Sequence, residues 1–222
     1  MLTLFGSLRS RALRPLWLLR ELDAPHKWVP VIQTYRLSDP TAPDAPFHTG
    51  RAEFLAINPL GKIPAMVDGD LRLSESVAIT LYCAQKFGGA LAPMNDTEHA
   101  LALQWALFGV TEVEKPALDI LMTYHQGDPE SPQGQATLAA SRAALMRPLR
   151  RLEAHAIGHE WLLGDRFTVA DILLAECVRF AADDVDVFAP LPGISRWLRA
   201  AQARPVYQSL WAERTLEPVS FP

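Results

Sequence analysis

Cysteine is scarce in this chain: Cys83 and Cys177 are its only two, far apart and each in apolar surroundings. A metal cluster, a Cys-x-x-Cys redox pair and a disulfide framework are therefore unsupported, and reduced, packed thiols in an intracellular protein are the simplest reading. Long apolar runs are missing too, since none approaches the ~18–20 residues that a membrane helix needs. The N-terminus reads apolar first and reaches Arg9 and Arg11 afterwards, the reverse of a secretory signal. A surplus of positive charge is also lacking. Lys and Arg number 21 against 25 Asp and Glu, a net charge of −4, so a nucleic-acid partner is not expected.

What is present is enough apolar material for a sizeable core, 49% of 222 residues. At ~150 residues per domain, that length suggests about one and a half domains. The division falls near residue 90. Before it, strand-like and helix-like pieces alternate. Leu2 to Phe5 reads as a strand, and Leu13, Leu16, Trp17, Leu19 and Leu22 recur at helical spacing. Trp28 to Ile32 is a second strand candidate, and Pro30 makes it an edge strand or an irregular one. Arg51 to Ile57 is a short helix. Pro64 to Val67 and Leu71 to Leu73 form a hairpin around Asp68-Gly69. A helix from about Ser74 to Phe87 then ends at Gly88-Gly89. The order implies one parallel and one antiparallel pairing, hence a mixed sheet.

Beyond residues 88–95, a linker, the strand signals vanish and residues 96–222 read as all-helical. Asp96 to about Tyr124 is expected as one long helix that Pro116 kinks or breaks. Further helices are expected over Gln135 to Ala156, Val169 to Ala182, Ile194 to Ala203 and Val206 to Glu213. The Pro-rich stretch from Asp39 to Pro46 is an irregular surface loop.

Three segments attract chemical readings. Asn58 to Pro64, N-P-L-G-K-I-P, is a tight turn leading into a strand. Pro64 is either an ordinary turn proline or a cis proline that presents the Ile63 backbone to a peptide-like ligand. Ser74-Glu75-Ser76 is either a plain helix cap or a receiver for a ligand carboxylate and ammonium. Gly6 to Arg11 holds Ser7 and Ser10 at the entry to the first helix, where a hydroxyl is commonly an N-cap. A nucleophilic serine needs an adjacent base, and no histidine is near in sequence. His155 and His159 have i, i+4 spacing without an acidic motif and read as a solvated helix end. Thr168 and Asp171 form a capping box, which is structural.

Together these segments resemble the glutathione S-transferase family over essentially the whole chain. The family's N-P-x-G-x-[VI]-P turn is similar to Asn58 to Pro64, its E-S-x-A-I to Glu75 to Ile79, and its G-x-x-x-[ST]-x-x-D to Gly164 to Asp171. The resemblance implies an α/β thioredoxin-like N-terminal domain with a mixed four-stranded sheet over residues 1–87, followed by an all-α C-terminal helical domain. It implies glutathione as co-substrate, bound by Lys62, Ile63, Pro64, Glu75 and Ser76, and no metal. The run from Leu4 to Arg14 resembles the theta-like serine pattern, with Phe5 where other members carry tyrosine. That places Ser10 in the position that activates the thiol, with Ser7 and then Arg11 as the alternatives. A small hydrophobic electrophile is expected against the long helix at Trp105, Phe108, Thr111 and Glu112. A cytoplasmic homodimer is expected from the family alone. A protein of the same fold that binds glutathione or an apolar ligand with little turnover, and a glutathione-dependent peroxide or disulfide reductase, are the other readings.

Overall fold

A computed structural model of the chain describes residues 1–221. The chain forms two compact units, one of residues 1–89 with 204–222 and one of residues 90–203. The sequence division grouped residues 204–222 with the helices, whereas this segment packs with the first unit.

The first unit is built on a four-stranded sheet of order β2-β1-β3-β4. Strand β1 (Leu2–Gly6) pairs parallel with β2 (His26–Pro30), as a right-handed crossover through helix α1 (Leu13–Glu21) demands. It pairs antiparallel with β3 (Ala65–Asp68), which turns through Gly69 at φ 61° into β4 (Leu71–Ser74). β2 is at the edge, where Pro30 costs no ladder hydrogen bond. Alternation in β1 aims Leu2 and Leu4 at one face, where α1 buries Leu13, Leu16, Trp17 and Leu19 and packs on α3 (Ser76–Phe87). Phe5 belongs to a separate cluster with Val31, Phe54 and Ala65, closed by the short helix α2 (Ala52–Leu55). Its ring meets Phe54 edge-on at 6.4 Å.

The second unit comprises α4 (Asp96–Phe108), α5 (Glu114–Gln126), α6 (Pro132–Gly158), α7 (Val169–Val178), α8 (Val185–Phe188) and α9 (Pro192–Gln202). The long helix expected from Asp96 does not break at Pro116. It deforms earlier, in a π-helical turn over Gly109–Val113. Pro116 lies just beyond that turn, and the carbonyl four residues before it, which its missing N–H cannot reach, is that of Glu112 within the turn. Helix α6 runs through Pro148, a position the periodic reading did not single out. Helix α7 is buried along its entire length. Its capping box is present, with Asp171 accepting from the Thr168 N–H at 2.9 Å, and Asp171 also accepts from Leu162 N–H and Trp197 Nε1–H at 2.9 Å each.

Helix α10 (Pro205–Leu216) lies on α1 within the first unit. Tyr207 meets Trp17 at 4.6 Å between ring centroids, and Arg204 forms a two-pronged bond to Glu21 at 2.8 and 2.7 Å. Among the described residues no helix is long and apolar enough to cross a membrane.

Candidate functional site

The register of the sheet gathers the three segments at one edge. Phe5 pairs with Ala65 and Ala65 with Ser74, so the next residues outward are Gly6, Pro64 and Glu75. The loop after β1, the turn before β3 and the start of α3 therefore meet at the ends of their strands.

The Asn58–Pro64 turn is tied from within. Buried Asn58 donates to the Lys62 carbonyl at 2.7 Å and accepts from the Leu60 N–H at 3.2 Å, while Gly61 takes φ 60°, which a Cβ disfavours. The Ile63–Pro64 bond is cis. Among the described residues no protein group pairs with the Ile63 N–H or C=O. That free donor and acceptor suit the backbone of an extended peptide-like ligand. Lys62 is exposed on the same turn.

At the start of α3, Glu75 takes φ 71° and ψ 113°, a conformation that costs a non-glycine residue about 1–3 kcal/mol. Glu75 stands at the N-cap position without a side-chain cap bond, and neither Ser74 nor Glu75 plays the capping part that a plain helix start would give it. The Glu75 side chain is exposed, and the Ser76 hydroxyl is buried at the first helical position. Arg14, also buried, donates to Ser76 Oγ at 3.0 Å across α1 and α3.

In the loop after β1, Ser10 Oγ donates to the Ser7 carbonyl at 2.7 Å and accepts from the Ala12 N–H at 3.1 Å. It thus caps the turn that leads into α1, the local role common for a serine at that place. Ser7 is buried, and its Oγ accepts from Arg36 at 3.1 Å. Arg11 is exposed. Phe5, whose ring is packed in the α2 cluster, is turned away from this chemistry.

Arg36 carried no signal in the sequence, since it lies in an irregular segment. Its side chain nevertheless links Ser7 to the segment beyond α10: it donates to Gln33 Oε1 at 3.0 Å, to Glu217 Oε1 at 2.9 Å and to the Val219 carbonyl at 2.9 Å. Glu217 Oε2 in turn accepts from the Leu8 N–H at 2.7 Å. A cleft of about 370 Å³ beside this cluster is walled by Trp28, Pro30, Ile32, Phe47 and Phe221.

The four helical candidates divide by burial within the second unit. Trp105 and Phe108 are core residues, edge-on at 5.5 Å, with the Arg151 guanidinium over both rings. Thr111 and Glu112 are exposed on the π-helical turn. His155 and His159 stack at 4.3 Å, and burial followed by the neighbouring His159 lowers the His155 pKa. Among the described residues no group of three or more His, Cys, Asp or Glu is placed to hold a metal ion. Both cysteines are buried, and neither is in a disulfide.

A mixed sheet with a cis proline at one strand end, joined to a helical unit, defines a thioredoxin-like domain coupled to an all-helical one. Comparisons with known proteins carry this further. The model of the glutathione S-transferase N-terminal domain matches residues 9–86, and that of the C-terminal domain matches residues 100–205. Glutathione S-transferase 3 of Zea mays is 34% identical over 182 residues, 75% of this chain and 78% of that protein. Glutathione S-transferase GstB of Escherichia coli (strain K12) is 27% identical over 217 residues, 95% and 97% of the two chains. A glutathione transferase from Burkholderia graminis, solved with two glutathione molecules per subunit, superposes with a TM-score of 0.78 at 26% identity, covering 97% of this chain and 89% of that one. The chain belongs to the glutathione S-transferase family, a family of enzymes.

Proposed function

We propose that the first unit binds glutathione at the edge formed by Lys62–Pro64 and Glu75–Ser76, and that the enzyme transfers it to a small hydrophobic electrophile. The observation that carries this reading is the unpaired Ile63 backbone beside an uncapped helix start at Ser76. Ile63 offers one donor and one acceptor to the peptide backbone of the ligand. The first N–H groups of α3 and the Ser76 hydroxyl receive its carboxylate, and Glu75 meets its ammonium group. Lys62 supplies a further cation on the turn.

Ser10 then activates the thiol by donating to the sulfur, which requires its proton to leave the Ser7 carbonyl; Ser7 and Arg11 are the alternatives in the same loop. A thiol of pKa ~8.5 is only a few per cent ionised near neutral pH, and lowering it by ~2 units takes ~2.7 kcal/mol of differential stabilisation. Ionisation rises ~25-fold, but a Brønsted slope of ~0.4–0.5 takes back a factor of ~6–10. Most of the acceleration must then come from holding the electrophile against the sulfur. Of the helical candidates, Thr111 and Glu112 have the exposure that contact with a co-substrate needs, whereas Trp105 and Phe108 are buried.

Titration with glutathione, followed by turnover with chlorodinitrobenzene, a peroxide and a mixed disulfide, tests the reading. Binding with conjugation of chlorodinitrobenzene is expected. Turnover of only the peroxide or the disulfide indicates a reductase, and binding without turnover indicates a binding protein in which the Ser10 proton stays on the Ser7 carbonyl. Absence of binding defeats the proposal. We expect a cytoplasmic homodimer, which light scattering of the dilute protein checks.

A further inference from the structure

We propose that Arg36 and Glu217 are positioning residues that hold the loop after β1 in the geometry for thiol activation. This rests on the reading that the loop activates a bound thiol. The geometry of the loop points to them. Between β1 and α1 the backbone has no ladder to hold it, and its anchors come from elsewhere. The Leu8 N–H is held by Glu217 and the Ser7 hydroxyl by Arg36. Ser10, the proposed thiol activator, aims its own hydroxyl at the Ser7 carbonyl. The clasp therefore fixes the residue from which Ser10 takes its orientation.

Arg36 and Glu217 are 181 residues apart in sequence, and their side chains are only 7% and 14% exposed. At that burial the pair is shielded from the screening that makes surface ion pairs nearly worthless, and loss of one partner leaves a costly unpaired charge. The segment that brings Glu217 to the loop is held by further bonds, both from the Arg36 side chain and between backbones. Arg36 also donates to the Pro218 carbonyl, the Phe221 N–H donates to the Arg36 carbonyl at 2.8 Å, and the Ser38 N–H donates to the Phe221 carbonyl at 3.2 Å. Arg9 adds a bond from Nε to the Glu217 carbonyl at 2.6 Å. Arg36 thus meets the Glu217 carboxylate and Arg9 its backbone carbonyl.

Two physical effects oppose each other here, and their signs differ. Neutralising Glu217 leaves the Arg36 charge uncompensated, which by electrostatics alone lowers the thiol pKa and raises the rate. Loosening the loop misplaces the Ser10 hydroxyl, which raises the thiol pKa and lowers the rate.

The experiment uses the full chain and its Glu217→Gln, Arg36→Met and Arg36→Met/Glu217→Met variants. Thermal melting, glutathione titration, thiolate absorbance of the bound glutathione against pH, and turnover of chlorodinitrobenzene are measured for each. For Glu217→Gln we expect kcat to fall about 10- to 100-fold, the cost of small misplacement of a reacting group, with glutathione affinity within about threefold. The pH midpoint of thiolate formation is expected to rise. The double variant is expected to recover much of the melting temperature, because an apolar pair replaces the ion pair, but not kcat, because Ser7 and Leu8 still lack their partners. A lowered thiolate midpoint with unchanged or raised kcat in Glu217→Gln overturns the proposal, as does recovery of kcat in the double variant. Failure of the unaltered chain to bind glutathione instead removes the functional reading itself.

Discussion

Single side chains decide most of the chemistry at this site. Ser10 and Ser7 are close neighbours with different surroundings: Ser10 Oγ is on a half-exposed turn and Ser7 Oγ is buried under Arg36. Ser10→Ala is therefore expected to cut turnover about 10- to 1,000-fold with little loss of glutathione affinity, the range for removing one preorganised donor. The same result for Ser7→Ala instead would move the role to Ser7. Cys83 gives an independent check on burial. Its thiol is pushed up to about 12 by burial, then by the nearby Asp68 carboxylate. Thiol reagents are expected to label Cys83 only after unfolding, as mass spectrometry of the native and denatured chain will tell. Lys62, Pro64, Glu75 and Ser76 can be singled out in the sequence as candidates because their motif is local. Arg36 and Glu217 cannot, because what joins them is a tertiary bond with no sequence spacing of its own.

Among the elements, the contact between β1 and α1 is the tightest constraint on the loop between them. A Cβ built on Gly6 lies 2.3 Å from the Ala12 Cβ and 3.3 Å from the Trp28 ring. Gly6→Ala must therefore push α1 off β1, at about 1–3 kcal/mol by denaturant titration, and is expected to lower kcat as well. The start of α7 shows the same dependence on one residue. Removing the Asp171 carboxylate leaves the Thr168, Leu162 and Trp197 N–H groups buried without acceptors, so Asp171→Ala is expected to cost about 3–5 kcal/mol. Burial, opposed by the Trp197 bond and the others, raises the Asp171 pKa from 3.8 to about 6. The folded chain then keeps a proton through that interval that the unfolded chain releases. Stability should fall as pH rises across the interval and level off above it, and Asp171→Asn should flatten the curve. Most elements could be read from periodicity and turn chemistry. In the long helix the disturbance expected at Pro116 takes the form of a π-helical turn that includes Glu112, four residues before it, and the helical path continues without a break.

At the level of the whole molecule, periodicity finds α10 but not the unit it completes, because an amphipathic helix does not encode which apolar surface it covers. Here that surface is α1, through Trp17, Glu21 and Arg20. A chain cut after residue 203 is expected to keep the helices of the second unit while amide exchange in β1 and α1 speeds up; unchanged protection there would show α10 to be dispensable. Because residues 204–221 belong to the first unit, that unit is discontinuous, with residues 90–203 as an insert between its parts. A ribosome making the chain therefore delivers the sheet first and its last helix only after the insert, roughly 6–23 s later at ~5–20 residues per second. During that interval the Trp17 face of α1 lacks the cover that α10 gives it in the finished chain.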